Sequence, residues 1–298
     1  MAVSFAGTVA RRAERRRSAT VMLGGSRLAR VLTLAALVLF CLLWLAPVFW
    51  ALLTSFKTET DAATVPIRIW PESGWTLDAY RQVLGVGALP RWLLNSLTTA
   101  IAITVLTVAI CALAAYALSR LDFRGRRGLM AVTVASILVP GQILLVPLYQ
   151  EVQALGLADT FWGIVLPQVI APVNVIVMKR FFDAVPVELE DAARIDGAGR
   201  MRVLWSVVLP LSRSILVAVA IFTFIGAWNN FMWPFIATTD PGLMTMPVGL
   251  GTVKSAYGIQ YAQTMASAMI AAAPLLVVFM FFQRQIIKGI ATTGLGGQ

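Results

Sequence analysis

The chain of 298 residues is 59% apolar and 13% charged, where soluble domains carry about 25% charged residues, which excludes a disordered chain and argues against a water-soluble globule. With no His and only two Cys, both inside apolar runs, it lacks the commonest metal ligand, His-activated nucleophiles and any disulfide framework. The 24 basic and 14 acidic residues leave a net charge of +10, and the placement of that surplus decides between a nucleic-acid surface and a membrane topology.

Residues 1–28 form a basic extension that includes Arg11, Arg12, Arg15, Arg16 and Arg17. The apolar run after it, Val31 to Phe56, is 26 residues, too long for the roughly 7 to 15 residues of a cleavable signal core. The first helix is therefore expected to be retained as an anchor. Further uncharged runs follow at Trp92 to Ser119, Gly128 to Gln150, Thr160 to Met178, Ser214 to Thr239 and Ser255 to Gln283. The shortest of the six holds 19 residues and reaches roughly 28 Å as a helix, close to the hydrocarbon thickness of a bilayer. The expected fold class is all-α: a polytopic membrane protein with six transmembrane helices and a cytoplasmic helix-turn-helix. The membrane domain runs over 29–290, with spans at about 31–53, 92–118, 129–149, 160–178, 214–238 and 264–283, and a tail at 291–298.

With the N-terminus inside, 19 basic residues fall in the inner segments, and only Lys57, Arg68, Arg81, Arg91 and Lys254 lie outside. The positive-inside rule then places both termini in the cytoplasm. Topology accounts for the charge surplus, and basic residues that alternate with spans cannot build one phosphate-binding face, so no nucleic-acid partner is expected.

No span carries a charged residue. Proton-coupled carriers keep ionisable groups at membrane depth, so a self-sufficient secondary carrier or channel is the competing reading and the weaker one. ATP does not bind here through a P-loop, because Phe56, Met178, Val253 and Ile287 precede the four lysines where that motif needs Gly. The acids Glu188, Glu190, Asp191 and Asp196 have no His or metal-ligand partner, which leaves a membrane enzyme without a catalytic cluster. No catalytic residue and no metal site are expected.

The segment between spans four and five, 185–210, is the organised polar stretch of the inner face. Pro186 suits a first helical turn, the acids after it suit the positive end of the helix dipole, Arg194 suits the negative end, and Gly197 suits a left-handed stop. This predicts a helix of about 11 residues. Met201, Leu204, Trp205 and Val208 recur at i, i+3, i+4, i+7, which predicts a second, amphipathic helix ending before Leu209-Pro210. The small Ala192, Ala193, Gly197 and Ala198 permit close approach of another surface, and Glu190 and Asp191 suit a basic rim. A helix lying on the lipid headgroups is the alternative reading of the same residues.

Spans four and five also hold uncharged polar groups: Asn174 in the former, and Trp228, Asn229 and Asn230 in the latter. Amides and Trp faces match the hydroxyls and C–H faces of a sugar. They equally match bonds between helices and an interfacial belt.

Asp191-Ala192-Ala193, Asp196-Gly197-Ala198 and Val207-Val208-Leu209-Pro210 resemble the EAA loop of permease subunits of bacterial ABC importers. Asp191 stands where that family usually has Glu, and Val207 where it often has Ile. The similarity extends over roughly 45–290 and, through Ser55-Phe56-Lys57, Asn95-Ser96-Leu97, the stretch Ala114 to Arg120 and Pro247-Val248-Gly249-Leu250, points to the maltose-type branch that carries carbohydrates. The resemblance implies an inner-membrane permease subunit forming half of a pathway for a sugar or sugar-like solute. Its implied partners are a second paralogous permease subunit, two ATPase subunits, an extracytoplasmic sugar-binding protein and the lipid bilayer. It makes 185–210 a coupling loop in which Glu190, Asp191, Ala192, Ala193, Asp196 and Gly197 meet the ATPase. ATP and Mg are then used by that partner, and this chain binds no cofactor.

Overall fold

The computed structural model describes residues 27–85, 88–252 and 260–294, and every regular element among them is helical. Lipid offers a bare backbone no hydrogen-bond partner, so an apolar crossing segment closes its own N–H and C=O groups in a helix. The first is α1 (Arg27–Ser55). Two short helices, α2 (Glu59–Ala62) and α3 (Asp78–Gly85), lead to the second span, α4 (Leu89–Arg120). Next come α5 (Arg126–Ile137) and α6 (Leu145–Ala154), then α7 (Phe161–Val165) with a 3-10 turn through Gln168, and α8 (Pro172–Asp183). The loop between spans four and five contains α9 (Val187–Ile195), α10 (Arg200–Val203), a π turn (Leu204–Val208) and α11 (Leu209–Leu211). It continues into α12 (Arg213–Asn229), followed by α13 (Met232–Ala237), α14 (Met246–Thr252) and α15 (Tyr261–Gly294).

Three helices, α1, α4 and α15, are long and apolar enough to cross a membrane alone, and three bent pairs allow up to six crossings. The bends fall inside the expected third and fourth spans and just before the expected fifth. The third turns by 96° beside Pro140, whose missing N–H cannot continue a helix, and the fourth turns by 50° where Pro172 opens α8. At Ser212 the loop meets α12 at 80°, so the fifth crossing is α12 itself, 17 residues or roughly 26 Å. That crossing was expected to run to 238, but it stops at Asn229, because Asn230 is extended, with ψ at 117°. Most of the basic extension (residues 1–26), together with Lys254 and residues 295–298, lies outside the described residues.

Helix α4 is the hub, packed against α8 on one side and α12 on the other, while α15 packs against α1 and α12. Their largest shared cluster joins Cys111, Ala112, Ala115 and Tyr116 of α4 to Met178 and Phe182 of α8 and Ile215, Ala218 and Val219 of α12. Small residues on α4 let the neighbouring backbones approach closely, the usual basis of helix association in lipid. By contrast, no residue in the most apolar window of α1 is buried.

The face opposite the loop is laced by side chains from distant parts of the chain. Glu59 accepts the N–H groups of Ala262 and Gln263 at 3.1 and 2.9 Å, so a carboxylate from the α1–α4 connection satisfies the open N-terminus of α15. Asn95 donates to Gly242 O and Met244 O, Trp92 to Pro241 O, and Ser96 Oγ accepts Met246 N–H at 2.7 Å. Asp159 accepts the N–H groups of Thr239 and Asp240 and the Thr238 hydroxyl, and those bonds, that of Thr239 foremost, hold its carboxyl below the usual carboxylate range. Lys57 is buried at 2% exposure, with its ammonium on Arg68 O and over the Trp50 ring. Burial lowers its pKa while Asp61 opposes that shift. The motif residues Ser55, Lys57, Asn95 and Ser96 therefore lock this face together, Ser55 through a 2.8 Å bond to the Tyr80 hydroxyl.

Candidate functional site

Helix α9 starts after Pro186, carries Glu188 and Glu190 in its first turn and Arg194 in its last, so side-chain charge and helix dipole agree at both ends. It spans nine residues instead of about 11, and its stop is explicit. Ala198 N–H bonds to Ala193 O and Gly197 N–H to Arg194 O, both at 2.9 Å, the paired bonds of a Schellman end. That end requires a left-handed residue, and Gly197 sits at φ +82°.

The second helix departs from the expected pattern in two ways. It continues through Leu209–Leu211 instead of ending before Leu209-Pro210, because the π turn over Leu204–Val208 widens the backbone just where the Pro210 ring would strike the preceding carbonyl. Its buried side is Val203, Leu204 and Val208, each at most 1% exposed, whereas Met201 and Trp205 stand 55% and 64% exposed. The buried stripe is thus displaced from the predicted one, and its members join the α4–α8–α12 cluster. The loop is seated in the bundle on one side and bare on the other.

Its attachment runs through the loop-side end of α4. The Arg120 guanidinium donates to Phe182 O at 2.6 Å and Val185 O at 2.5 Å, and its Nε lies 2.5 Å from Glu190 Oε1. The Glu190 contact is Coulombic in character, since the N–H does not align on the oxygen. Glu190 is 2% exposed, and Arg194 adds a second charge at 3.7 Å. One side chain from span two thereby straps the end of span four and the first turn of α9. Tyr116 Oη donates to Arg200 O at 3.2 Å, and Ser119 Oγ donates to Asp183, which Lys179 also holds at 2.6 Å.

Of the six residues expected at the coupling loop, Glu190 and Ala193 turn toward the bundle, while Asp191, Ala192, Asp196 and Gly197 are exposed. Glu188, Asp191, Ala192 and Ile195 recur at i, i+3, i+4, i+7 and are all exposed, so α9 presents one continuous open face, with Ile195 87% bare. Asp191 is paired with Arg194 at 3.3 Å along that face. Tyr116, Ser119 and Arg120 lie in the stretch Ala114 to Arg120 that carries the family resemblance, but the sequence does not assign them to holding the loop.

The polar residues of spans four and five lie apart from this loop. Asn174 Nδ2 donates to Thr223 Oγ1 at 3.3 Å, Trp228 Nε1 to Ala271 O at 3.2 Å, and Asn230 Nδ2 to Gln168 Oε1 at 2.6 Å. Each of these bonds joins two spans or their extensions. Asn229 is exposed, and its amide bonds only back to Ile225 O within its own helix. Among the described residues, no group of His, Cys, Asp or Glu is arranged to hold a metal.

Known proteins with this pattern are membrane permeases. The chain is 32% identical over 253 residues to the arabinooligosaccharides transport system permease protein AraQ of Halalkalibacterium halodurans, covering 84% of this chain and 91% of that one. It is 33% identical over 277 residues to the trehalose/maltose transport system permease protein MalG of Thermococcus litoralis, covering 91% and 98%. In fold it matches a chain from the crystal structure of a bacterial ABC transporter involved in the import of the acidic polysaccharide alginate, with a TM-score of 0.78 at 21% identity, over 87% of this chain and 98% of that one. Residues 108–292, which include α8, the whole strapped loop and spans five and six, match the family described as binding-protein-dependent transport system inner membrane component, and the chain belongs to that family.

Proposed function

We propose that this permease subunit forms half of the transmembrane pathway for a sugar or sugar-like solute, that an extracytoplasmic binding protein delivers the solute, and that separate ATPase subunits drive its passage beside a second, paralogous permease subunit. The relatives above are named for arabinooligosaccharides and for trehalose and maltose, which supports a carbohydrate. The observation that carries the coupling part is the loop itself: one face of α9 and its glycine turn is bare, and the other is strapped to span two by Arg120. Asp191, Ala192, Asp196 and Gly197 then meet the ATPase, while Glu190 and Ala193 transmit its movement inward. ATP and Mg are used by the partner, since no lysine of this chain follows a glycine. Among the candidate pathway residues, Asn229 is the one whose amide is exposed, and it is assigned to the solute before Asn174, Trp228 and Asn230.

The test is uptake by membrane vesicles holding the complete transporter and its binding protein. Uptake is expected to require ATP and to persist when an uncoupler collapses the proton gradient, because no span carries an Asp, Glu, Lys, Arg or His. Loss of uptake at constant ATP would transfer the chain to the secondary carriers. With both termini inside, as the 19 to 5 division of basic residues indicates, reporter fusions after Arg127 and Arg200 are expected to read cytoplasm and a fusion near Trp75 the outside. The opposite pattern inverts the topology.

A further inference from the structure

We propose that the cavity at the loop-side end of α4, α5 and α8 binds the phosphodiester headgroup of an anionic phospholipid. The cavity is an open cleft of about 760 Å³ where three spans end. Three cations, Arg126, Arg127 and Lys179, line it against one acid, Asp122. Lys179 is neutralised by Asp183. Arg126 is not: its Nε and Nη2 donate to the uncharged carbonyls of Leu118 and Ser119 at 2.9 and 3.1 Å, which fix the guanidinium in place and leave its charge uncompensated. Arg127 forms no ion pair among the described residues, and neither do its neighbours Arg124 and Arg180.

The position of the two arginines is itself unfavourable without a ligand. They occupy the first turn of α5, which has neither an acidic residue nor a side-chain cap, so two positive charges sit on the positive end of a helix dipole. An anion in the cavity relieves both. The cavity wall also says which anion: Leu118, Phe123 and Met130 line it, and beyond it Leu129 and Val132 are 51% and 66% exposed along α5. Acyl chains can lie along that surface, whereas a soluble phosphate has no use for it. A basic pocket between span ends is the usual form of headgroup recognition. The inference rests on the reading that this face meets the inner leaflet.

The experiment uses the assembled transporter in nanodiscs of mixed phosphatidylglycerol and phosphatidylcholine, released into detergent and weighed by native mass spectrometry. The wild type is expected to retain phosphatidylglycerol in preference, and Arg127→Gln to lose that preference about fivefold, the worth of one interfacial cation. Arg127→Lys keeps the charge and is expected to keep the preference. Equal retention by wild type and Arg127→Gln overturns the site, and displacement of the lipid by millimolar inorganic phosphate overturns the lipid as its occupant. A nanodisc exposes both faces and the readout involves no uptake, so failure here leaves the transport reading standing.

Discussion

Arg120→Ala is expected to abolish ATP-driven uptake and to destabilise the subunit by about 3 to 5 kcal/mol, the cost of leaving one member of a buried ion pair without its partner. The arginine supplies the short contact to Glu190 and two bonds to the Phe182 and Val185 carbonyls, and Arg194 at 3.7 Å replaces only part of the lost charge. A stability loss alone would not identify a coupling role. The discriminating variant is Arg120→Leu with Glu190→Leu, since exchanging a buried ion pair for apolar residues is often neutral in stability. If the strap transmits movement, the double variant recovers membrane insertion and assembly with the ATPase, hydrolyses ATP and still fails to import. Recovery of both assembly and uptake would reduce Arg120 to a packing element. Thermal melting, co-purification and vesicle uptake on the same preparations decide between the two.

Gly197→Val is expected to abolish uptake and to weaken ATPase association without affecting membrane insertion, because no span is touched. A β-branched residue at φ +82° costs on the order of 1 to 3 kcal/mol. Within this chain, however, a Cβ at Gly197 meets nothing within 4 Å. Strain and partner contact therefore separate cleanly. Gly197→Asn tolerates the left-handed conformation and adds bulk, so its recovery of uptake would show that the turn alone matters. Its failure, with the loop intact by protease resistance, would show that a partner surface approaches the bare backbone. The docking reading expects failure of both variants; normal assembly and transport in Gly197→Val would leave α9 a passive helix on the membrane surface.

The sequence made the crossings legible because lipid leaves little freedom: an uncharged run of 19 residues or more closes its backbone bonds in helix, whole or broken. The glycine stop at 197 was legible for the same local reason, a conformation that few residues accept. What escaped was tertiary. The burial of Val203 and exposure of Met201 follow from the π turn and from α4 lying beneath the loop, neither of which leaves a mark in the helical period. Arg120 closes a stretch that carries the family resemblance, but its attachment to the loop is invisible in the sequence, since it depends on Glu190, 70 positions later. Trp228 and Asn230 suit a solute as well as packing by residue type, and only their bonds to Ala271 and Gln168 show how their polar groups are occupied.

The lacing of the face opposite the loop between spans four and five also sets a timetable for biogenesis. Its bonds join Trp92, Asn95 and Ser96 to residues 147–150 positions later, and Glu59 to residues 203 and 204 positions later. At roughly 5 to 20 residues per second, the earlier partners wait about 7 to 40 s for the later ones to leave the ribosome. During that interval Asn95 of span two lacks its native partners, and chaperones and proteases act on subunits that are still incomplete. Damage to this face is accordingly expected to reach the cell as a shortage of mature subunit, whereas damage confined to the bare face of α9 is expected to leave a full complement of subunits that do not transport.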